Sequence, residues 1–535
     1  MFVFFHGYSP DTWDAMLRTG LIGDHDGIRF QQSLDLPEEL KFNRLAAKDG
    51  RLYSIIKERS CPFYVDRLQG GCYIDEYVYD KDLLNEYRNL LGDKFYGFQM
   101  HEWLSNYRSD ANRKLAELSA DQWTEENIKK LIFEKFPFKN LFLECMTLEE
   151  IAAAGKPLTA EQFYRNMTAI YKKRQKIGEL VPADSAFLAY QFELQNGTKR
   201  IMPEVGAQTP DARLQICYAR GMTRREGKSF GIYYEPWGGK PFSACAYNGP
   251  KNEWAMGNGD FPFETYGHNG GSSRSLQKRI FLYAYLSGAE FISEEWGLYN
   301  TFLEGTDFCL SPYGLVKKDF LNFVRRYDDI GDKLTPVAAV LPEELTVLDN
   351  CTEPYSIFGY ESRSERLASI KNGVAEIFAS SVPMVGSEQK TLKNSDLPDA
   401  VDLLNRDDGM LKKYDYLVDL TFGSDLKDKF SNICDTNNIS ELLRKLLPVY
   451  VDGGLHWMVN ECRRGGYYLT VFNHSGVVRT VAEGEYTLPE AEKTVELSFK
   501  NEASPAILEG DGILSIENGI YRLTVPAGGF AFIKF

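Results

Sequence analysis

The sequence predicts an α/β fold in three parts: a closed (β/α)8 barrel, a small α/β domain and a C-terminal all-β sandwich. Eight short apolar runs alternate with amphipathic segments over residues 1–332. A second alternating stretch covers 333–455, and the pattern over 456–535 is nearly all β. Alternating strands and helices form parallel sheets, and eight repeats of this length are typical of the TIM barrel.

The barrel prediction depends on eight candidate strands and the helices between them. The predicted strands span residues 1–6, 27–33, 62–68, 95–103, 186–194, 200–206, 229–237 and 290–297. "DTWDAMLRTGLI", "DKDLLNEYRNLLGD" and "SRSLQKRIFLYAYLSG" have helical periodicity, and Ser273 is a candidate N-cap of the last. Residues at about 104–185 are predicted as a helical insertion. Too few residues separate the fifth and sixth strands for a crossover helix, which leaves the strand numbering open by one.

The two C-terminal parts are distinguished by their patterns. "PVAAVLP" and "YDYLVDL" resemble buried parallel strands, and "SERLASIKNGVAEIF" and "ISELLRKLLP" resemble helices, which predicts a flavodoxin-like domain over 333–455. "GYYLTVFNHSG", "KTVELSFKN" and "IYRLTVPAGGFAFIKF" alternate or run apolar between turn residues. They predict the β-sandwich over 456–535.

The charge balance limits the partners. With 61 basic and 76 acidic residues, the net charge is −15, which disfavours nucleic acid and anionic membranes as partners. No run of 18 apolar residues occurs. A homo-oligomer is left open. We expect a cytoplasmic protein if Met1 is native, and a secreted or periplasmic one if a signal peptide was removed.

Glutamates paired with tryptophans end three of the predicted strands. The ends are His101-Glu102-Trp103 in the fourth strand, Tyr234-Glu235-Pro236-Trp237 in the seventh and Glu294-Glu295-Trp296 in the eighth. Active sites of such barrels lie at the carboxyl ends of the strands. The sequence therefore predicts that these carboxylates share one mouth.

Such a set suits the cleavage of glycosidic bonds, which needs two opposed carboxyl groups. We predict Glu235 as the nucleophile, or as the base of an inverting enzyme, Glu102 as the general acid/base and Glu294 as a third carboxylate. Only one of Glu294 and Glu295 can face the barrel axis, because neighbouring side chains of a strand point to opposite faces. The alternatives are a strand-end carboxylate paired with arginine, or a group that positions substrate.

Aromatic and polar residues near these ends are predicted to bind the sugar, since flat rings pack against sugar C–H faces. The predicted set is Trp237, Tyr234, Trp103, His101, Trp296, Glu295, His268 and Arg67. Core packing of the aromatic rings and a solvent-exposed loop around His268 are the alternatives. Arg67 and Asp66 could instead form an ion pair, and Glu204 in the sixth strand is either structural or part of the site.

Other chemistries lack their motifs. The sequence has no Gly-x-Ser-x-Gly, no Walker loop, no His-Glu-x-x-His and only six histidines. We therefore expect no cofactor and no metal.

These residues resemble those of clan A glycoside hydrolases, in which the acid/base glutamate ends strand four and the nucleophile ends strand seven. The matching residues are Glu102 in "QMHEW" and Glu235 in "YYEPW", although His101 stands where the clan has asparagine. The three-part order is similar to that of bacterial β-galactosidases. The resemblance implies a glycoside hydrolase acting on an oligo- or polysaccharide. A non-catalytic glycan-binding protein on a degenerate barrel, or a barrel lyase, is the alternative.

Overall fold

The protein was analysed as a computed structural model. It describes residues 2–23, 26–31, 37–66, 77–101, 115, 117–135, 148–157, 159–184, 188–206, 212–236, 272–295, 297–303, 305–346, 365–378, 398–480 and 484–535.

Eight parallel strands close into a barrel, which confirms the predicted fold class. Each strand pairs with the next, and the eighth pairs back with the first. In chain order the strands are β1 (Val3–Gly7), β2 (Gly27–Phe30), β3 (Phe63–Val65), β4 (Phe95–His101), β5 (Leu180–Asp184), β6 (Arg200–Gly206), β7 (Ser229–Glu235) and β8 (Phe291–Glu294).

Helices accompany these strands. They are α1 (Pro10–Thr19), α2 (Phe42–Leu45), α3 (Arg51–Arg59), α4 (Lys81–Leu91), α5 (Glu125–Lys135), α6 (Leu148–Ala154), α7 (Ala160–Ile177), α8 (Ala189–Gln195), α9 (Ala212–Glu226), α10 (Arg274–Leu286), α11 (Gly297–Asn300) and α12 (Pro312–Arg326). Local sequence fixes their starts, because a side-chain oxygen can accept a bond from an otherwise unpaired N–H of the first turn. Ser9 caps α1 in this way, and the prediction that Ser273 caps α10 is confirmed.

The fifth strand differs from its prediction. Residues 189–195 form the helix α8, whereas β5 covers Leu180–Asp184, inside the range predicted as a helical insertion. Every residue from Ala189 to Leu194 is buried. A continuous apolar run of this kind does not distinguish a buried helix from a buried strand. With β5 placed earlier, α8 lies between β5 and β6, and the number of strands stays at eight.

Alternation along the strands separates two apolar layers. One fills the barrel and contains Phe5, Tyr64, Tyr96, Tyr233 and Phe291. Several of these rings meet edge to face, with centroids 4.8–5.7 Å apart. Residues one position along the strands face the surrounding helices instead. The direction of any side chain near the mouth therefore follows from its position relative to this inner layer.

A parallel four-stranded sheet follows the barrel. Its strands are β10 (Val337–Leu341), β11 (Val401–Asn405), β12 (Tyr416–Asp419) and β13 (Ile433–Cys434), in the order β11-β10-β12-β13. Its helices are α13 (Glu365–Phe378), α14 (Asp408–Leu411), α15 (Leu426–Lys429) and α16 (Ile439–Leu446). This strand order is that of doubly wound, flavodoxin-like sheets.

The C-terminal region is antiparallel. Its strands, together with β9 (Asp332–Lys333), are β14 (Val449–Asp452), β15 (His456–Glu461), β16 (Tyr467–Phe472), β17 (Val477–Thr480), β18 (Gly484–Thr487), β19 (Lys493–Phe499), β20 (Ala506–Gly510), β21 (Ile513–Glu517), β22 (Ile520–Val525) and β23 (Phe530–Lys534). They form the sheets β14-β19-β22-β21 and β20-β23-β16-β15-β9 and the hairpin β17-β18. Thus β9 and β14 pair with strands of the last part, although they lie at or before the predicted domain boundaries. The boundaries themselves stay a prediction.

The parts meet on barrel helix α9, which packs against β11. The Cβ of an alanine at Gly221 would lie 2.1 Å from the carbonyl oxygen of Leu403, so only glycine permits this approach. Arg220 Nε lies 2.5 Å from an Asp402 carboxylate oxygen, and both side chains are buried. Within the described residues, no helix combines the length and the apolar character needed to cross a membrane.

Candidate active site

Polar side chains from six strands point into the mouth of the barrel at its carboxyl end. Each is placed by its strand pairing or by a contact with the inner apolar layer. They are Arg29, Asp66, His101, Glu204, Tyr233, Glu235, Ser293 and Glu295. The mouth therefore collects groups that are far apart in the sequence.

Glu235 is the last residue of β7 and is only 2% exposed. Its strand partner on β6 is Gly206, which has a φ of +149°. A Cβ on Gly206 would lie 2.3 Å from the carbonyl oxygen of Glu235, so the two backbones approach too closely for any other residue. The predicted position at the end of the seventh strand is confirmed. The catalytic role of Glu235 stays a prediction.

Glu294 and Glu295 point to opposite sides of the sheet. The Glu294 carboxylate lies 2.5 Å from Lys317 Nζ of α12 and accepts a 3.1 Å hydrogen bond from Gln277 of α10. It therefore faces the helices that surround the barrel. Glu295 faces the mouth, with a carboxylate oxygen 3.6 Å from His101 Nε2. Of this pair, the structure brings Glu295 and not Glu294 to the other predicted site residues.

His101 lies between two carboxylates. Its Nε2 is 3.6 Å from Glu204 Oε1 and equally far from Glu295 Oε1. The three side chains come from the ends of β4 and β6 and from the residue after β8. His101 and Glu204, whose roles were left open, thus lie together at the mouth.

Arg29 organises one wall of the mouth. It donates 2.8 Å hydrogen bonds to Asp66 and to the hydroxyl of Tyr233, and it also donates to the carbonyl of Glu294. Burial alone would lower the pKa of Arg29, but Asp66 and the hydroxyls of Tyr233 and Tyr64 raise it well above its ordinary value. Arg29 is therefore charged, and its charge balances that of Asp66.

Tyr233 is a site residue that the sequence analysis did not identify. Burial raises the pKa of its hydroxyl well above the usual value, against the effect of Arg29, so the hydroxyl stays protonated. The available signal was Arg29, a charged residue within the apolar strand "GIRFQQS". The strand end drew attention to Tyr234 instead.

Tyr234 lies on the other side of β7 from Tyr233. Its ring packs against Phe281 of α10 with centroids 5.1 Å apart, and its hydroxyl lies 2.6 Å from Ser272 Oγ. The structure therefore places Tyr234 behind the barrel wall, apart from the sugar-binding surface predicted for it.

The remaining predicted site residues lie outside the described residues. They are Glu102, Trp103, Arg67, Trp237, His268 and Trp296. Glu102 directly follows His101, the last residue of β4, and Trp296 directly follows Glu295. Their roles stay predictions.

No protein-family model and no curated protein matches the sequence. Among solved structures that match along more than four-fifths of the chain is α-L-fucosidase isoenzyme 2 from Paenibacillus thiaminolyticus, with 9% identity, a TM-score of 0.44 and coverage of 98% of this chain and 96% of that one. The protein GH5_18 from Streptomyces cattleya, in complex with GlcNAc, has 10% identity, a TM-score of 0.34 and coverage of 82% and 99%. AmyP in complex with maltose has 7% identity, a TM-score of 0.32 and coverage of 100% and 96%. Similarity at this level assigns neither a family nor an activity.

Proposed function

We propose that this chain is a glycoside hydrolase that cleaves glycosidic bonds of an oligo- or polysaccharide with a pair of glutamates. One observation carries the proposal: Glu204, Glu235 and Glu295 converge with His101 at the carboxyl end of a closed parallel barrel. Buried carboxyl groups around one opening are what glycoside hydrolysis requires. The hydroxyl-binding groups of a sugar site are supplied by Arg29, Asp66 and Tyr233.

In the proposed reaction, Glu235 attacks the anomeric carbon, and Glu102 protonates the leaving oxygen and later activates water. Glu235 suits this role because burial at the end of a rigid strand fixes its direction. Glu295 takes the place of Glu294 as the third site carboxylate, because it is the member of the pair that faces the mouth. If Glu235 instead activates water, the products have inverted configuration.

A glycoside panel with two matched variants tests the proposal. Aryl-glycosides and oligosaccharides are assayed with the wild type, Glu235→Gln and Glu290→Gln. Glu290 precedes β8 at the opposite end of the barrel, where it accepts a hydrogen bond from Tyr96. We expect Glu235→Gln to lower kcat by at least ~10²–10⁴-fold, the usual range for acid–base groups, and Glu290→Gln to change it little.

Product configuration, measured by NMR during turnover, identifies the role of Glu235. Retention supports a nucleophile, and inversion supports a base. The proposal fails if Glu235→Gln turns over substrate like the wild type. Glycan binding by both the wild type and Glu235→Gln, without turnover by either, would instead identify a glycan-binding protein.

A further inference from the structure

We propose that His101, Glu204 and Glu295 form a binding site for a divalent transition-metal ion, of which Zn²⁺ is the best representative. Among the residues that the structure describes, these three offer one nitrogen and two carboxylate oxygens that all lie within 4.8 Å of one another. The inference concerns binding of the ion and does not depend on the proposed glycosidase activity.

The distances between the donor atoms favour a shared ion. His101 Nε2 lies 3.6 Å from each carboxylate, beyond the ~2.7–3.2 Å of an N–H···O hydrogen bond. Ligands of a tetrahedral Zn²⁺, each ~2.0–2.1 Å from the metal, lie about 3.4 Å apart. Only a small contraction of the cluster is needed to coordinate the ion.

The surroundings hold the imidazole in place. The ring of Tyr233 meets that of His101 edge to face, with centroids 5.5 Å apart and an interplanar angle of 79°. Tyr233 is itself fixed by the hydrogen bond from Arg29, which also binds Asp66. Outer groups that orient a ligating histidine in this way are characteristic of metal sites.

Burial and donor type indicate which ion would bind. The side chains of His101 and Glu204 are 8% and 1% exposed, and that of Glu295 is 15% exposed. Two carboxylates in such a setting carry a large desolvation cost, which a divalent cation offsets. An imidazole donor favours Zn²⁺ over Mg²⁺ or Ca²⁺, and three protein ligands leave a position for water or a substrate hydroxyl.

The sequence gave no indication of this site. Its ligands come from three separate strands, without the short spacing of a metal motif. The expectation of a metal-free protein relied on the scarcity of histidines, whereas carboxylates supply two of the three proposed ligands.

Calorimetric titration of the chelator-treated full chain with ZnCl₂ tests the proposal, with MgCl₂ in parallel. We expect 1:1 Zn²⁺ binding that strengthens as pH rises, because the ion competes with protons for its ligands. His101→Gln and Glu204→Gln should each weaken binding by more than ~100-fold, since loss of outer-shell groups alone costs 10–100-fold. Circular dichroism of each metal-free variant checks that it is folded.

Glu235→Gln is the control that separates the two proposals. It should lose turnover but retain Zn²⁺ binding within several-fold, because Glu235 is not among the three ligands. The metal proposal is overturned if the wild type does not bind Zn²⁺, in which case a protonated His101 bridges the two carboxylates. It is equally overturned if the His101 and Glu204 variants bind like the wild type, which would place the ion elsewhere.

Discussion

At the scale of single residues, alternation along a strand gives two adjacent glutamates different environments. Glu294 forms a buried ion pair with Lys317 between the barrel and its helices, whereas Glu295 meets His101 at the mouth. The sequence cannot distinguish them, because both are glutamates at the end of the same strand. Their difference arises from the direction in which each Cβ points.

We expect Glu294→Gln to affect stability and Glu295→Gln to affect function. Removing the charge of Glu294 leaves Lys317 buried with a neutral neighbour, which should lower the free energy of unfolding by about 3–5 kcal/mol. Glu295→Gln should change that free energy by less than ~1 kcal/mol but impair activity and Zn²⁺ binding. Urea denaturation and the glycoside assay measure the two effects.

The double variant Glu294→Gln/Lys317→Met provides the control. It removes the unpaired charge and should recover part of the lost stability. A fully stable Glu294→Gln variant with impaired turnover would contradict the assignment.

At the scale of elements, the close approach of β6 and β7 positions Glu235. Gly206→Ala would add a Cβ 2.3 Å from the Glu235 carbonyl oxygen, at a φ of +149°. We expect about 1–3 kcal/mol of lost stability from backbone strain and about 10²-fold lower kcat/KM, because displacing a catalytic group by ~1 Å has an effect of this size.

Gly197→Ala is the matched control for this prediction. Gly197 has a φ of +102°, but a Cβ there would have nothing within 4 Å. It should lose stability and keep activity. Equal activity of the two variants would show that the contact with Glu235 is unimportant.

At the scale of the whole molecule, Asp399 joins the three parts. Its carboxylate lies 2.6 Å from Lys333 Nζ of β9 and 3.1 Å from His456 Nε2 of β15. Arg220 of the barrel helix α9 lies 3.5 Å away. Although burial opposes ionisation, these cations hold the pKa of Asp399 well below 3.8.

This junction predicts loss of stability in acid. Burial, with Arg213, lowers the pKa of His456 from 6.5 to about 3, although Asp399 acts in the opposite direction. Between these pH values the unfolded chain binds more protons than the folded one, so stability falls as pH drops. Below about pH 3.8, protonation of the unfolded Asp399 adds to the loss.

His456→Gln keeps a donor for Asp399 but does not titrate. Thermal unfolding from pH 7 to pH 4 should therefore show a smaller decline of Tm in this variant than in the wild type. Parallel curves for the two proteins would contradict the assignment.

Much of the architecture could be predicted from the sequence because parallel strands and helices have different periods. Seven of the eight barrel strands lie where predicted, and Glu235 ends the seventh. β5 was missed because a five-residue strand containing Pro182 gives a weaker signal than the apolar helix after it. The pairing of Arg29 with Tyr233 and the His101 cluster depend on barrel closure, which no local pattern encodes.

Helix α9 connects the two strands that carry Glu204 and Glu235, and residues 212–223 are buried between the barrel and β11. With no face in water along this stretch, its amide hydrogens should exchange with deuterium only when the whole molecule opens. Deuterium uptake followed by mass spectrometry would show this as protection equal to that of the barrel strands. Evolution or engineering of the mouth is then constrained from behind, because a shift of β6 or β7 must be accommodated by the neighbouring domain.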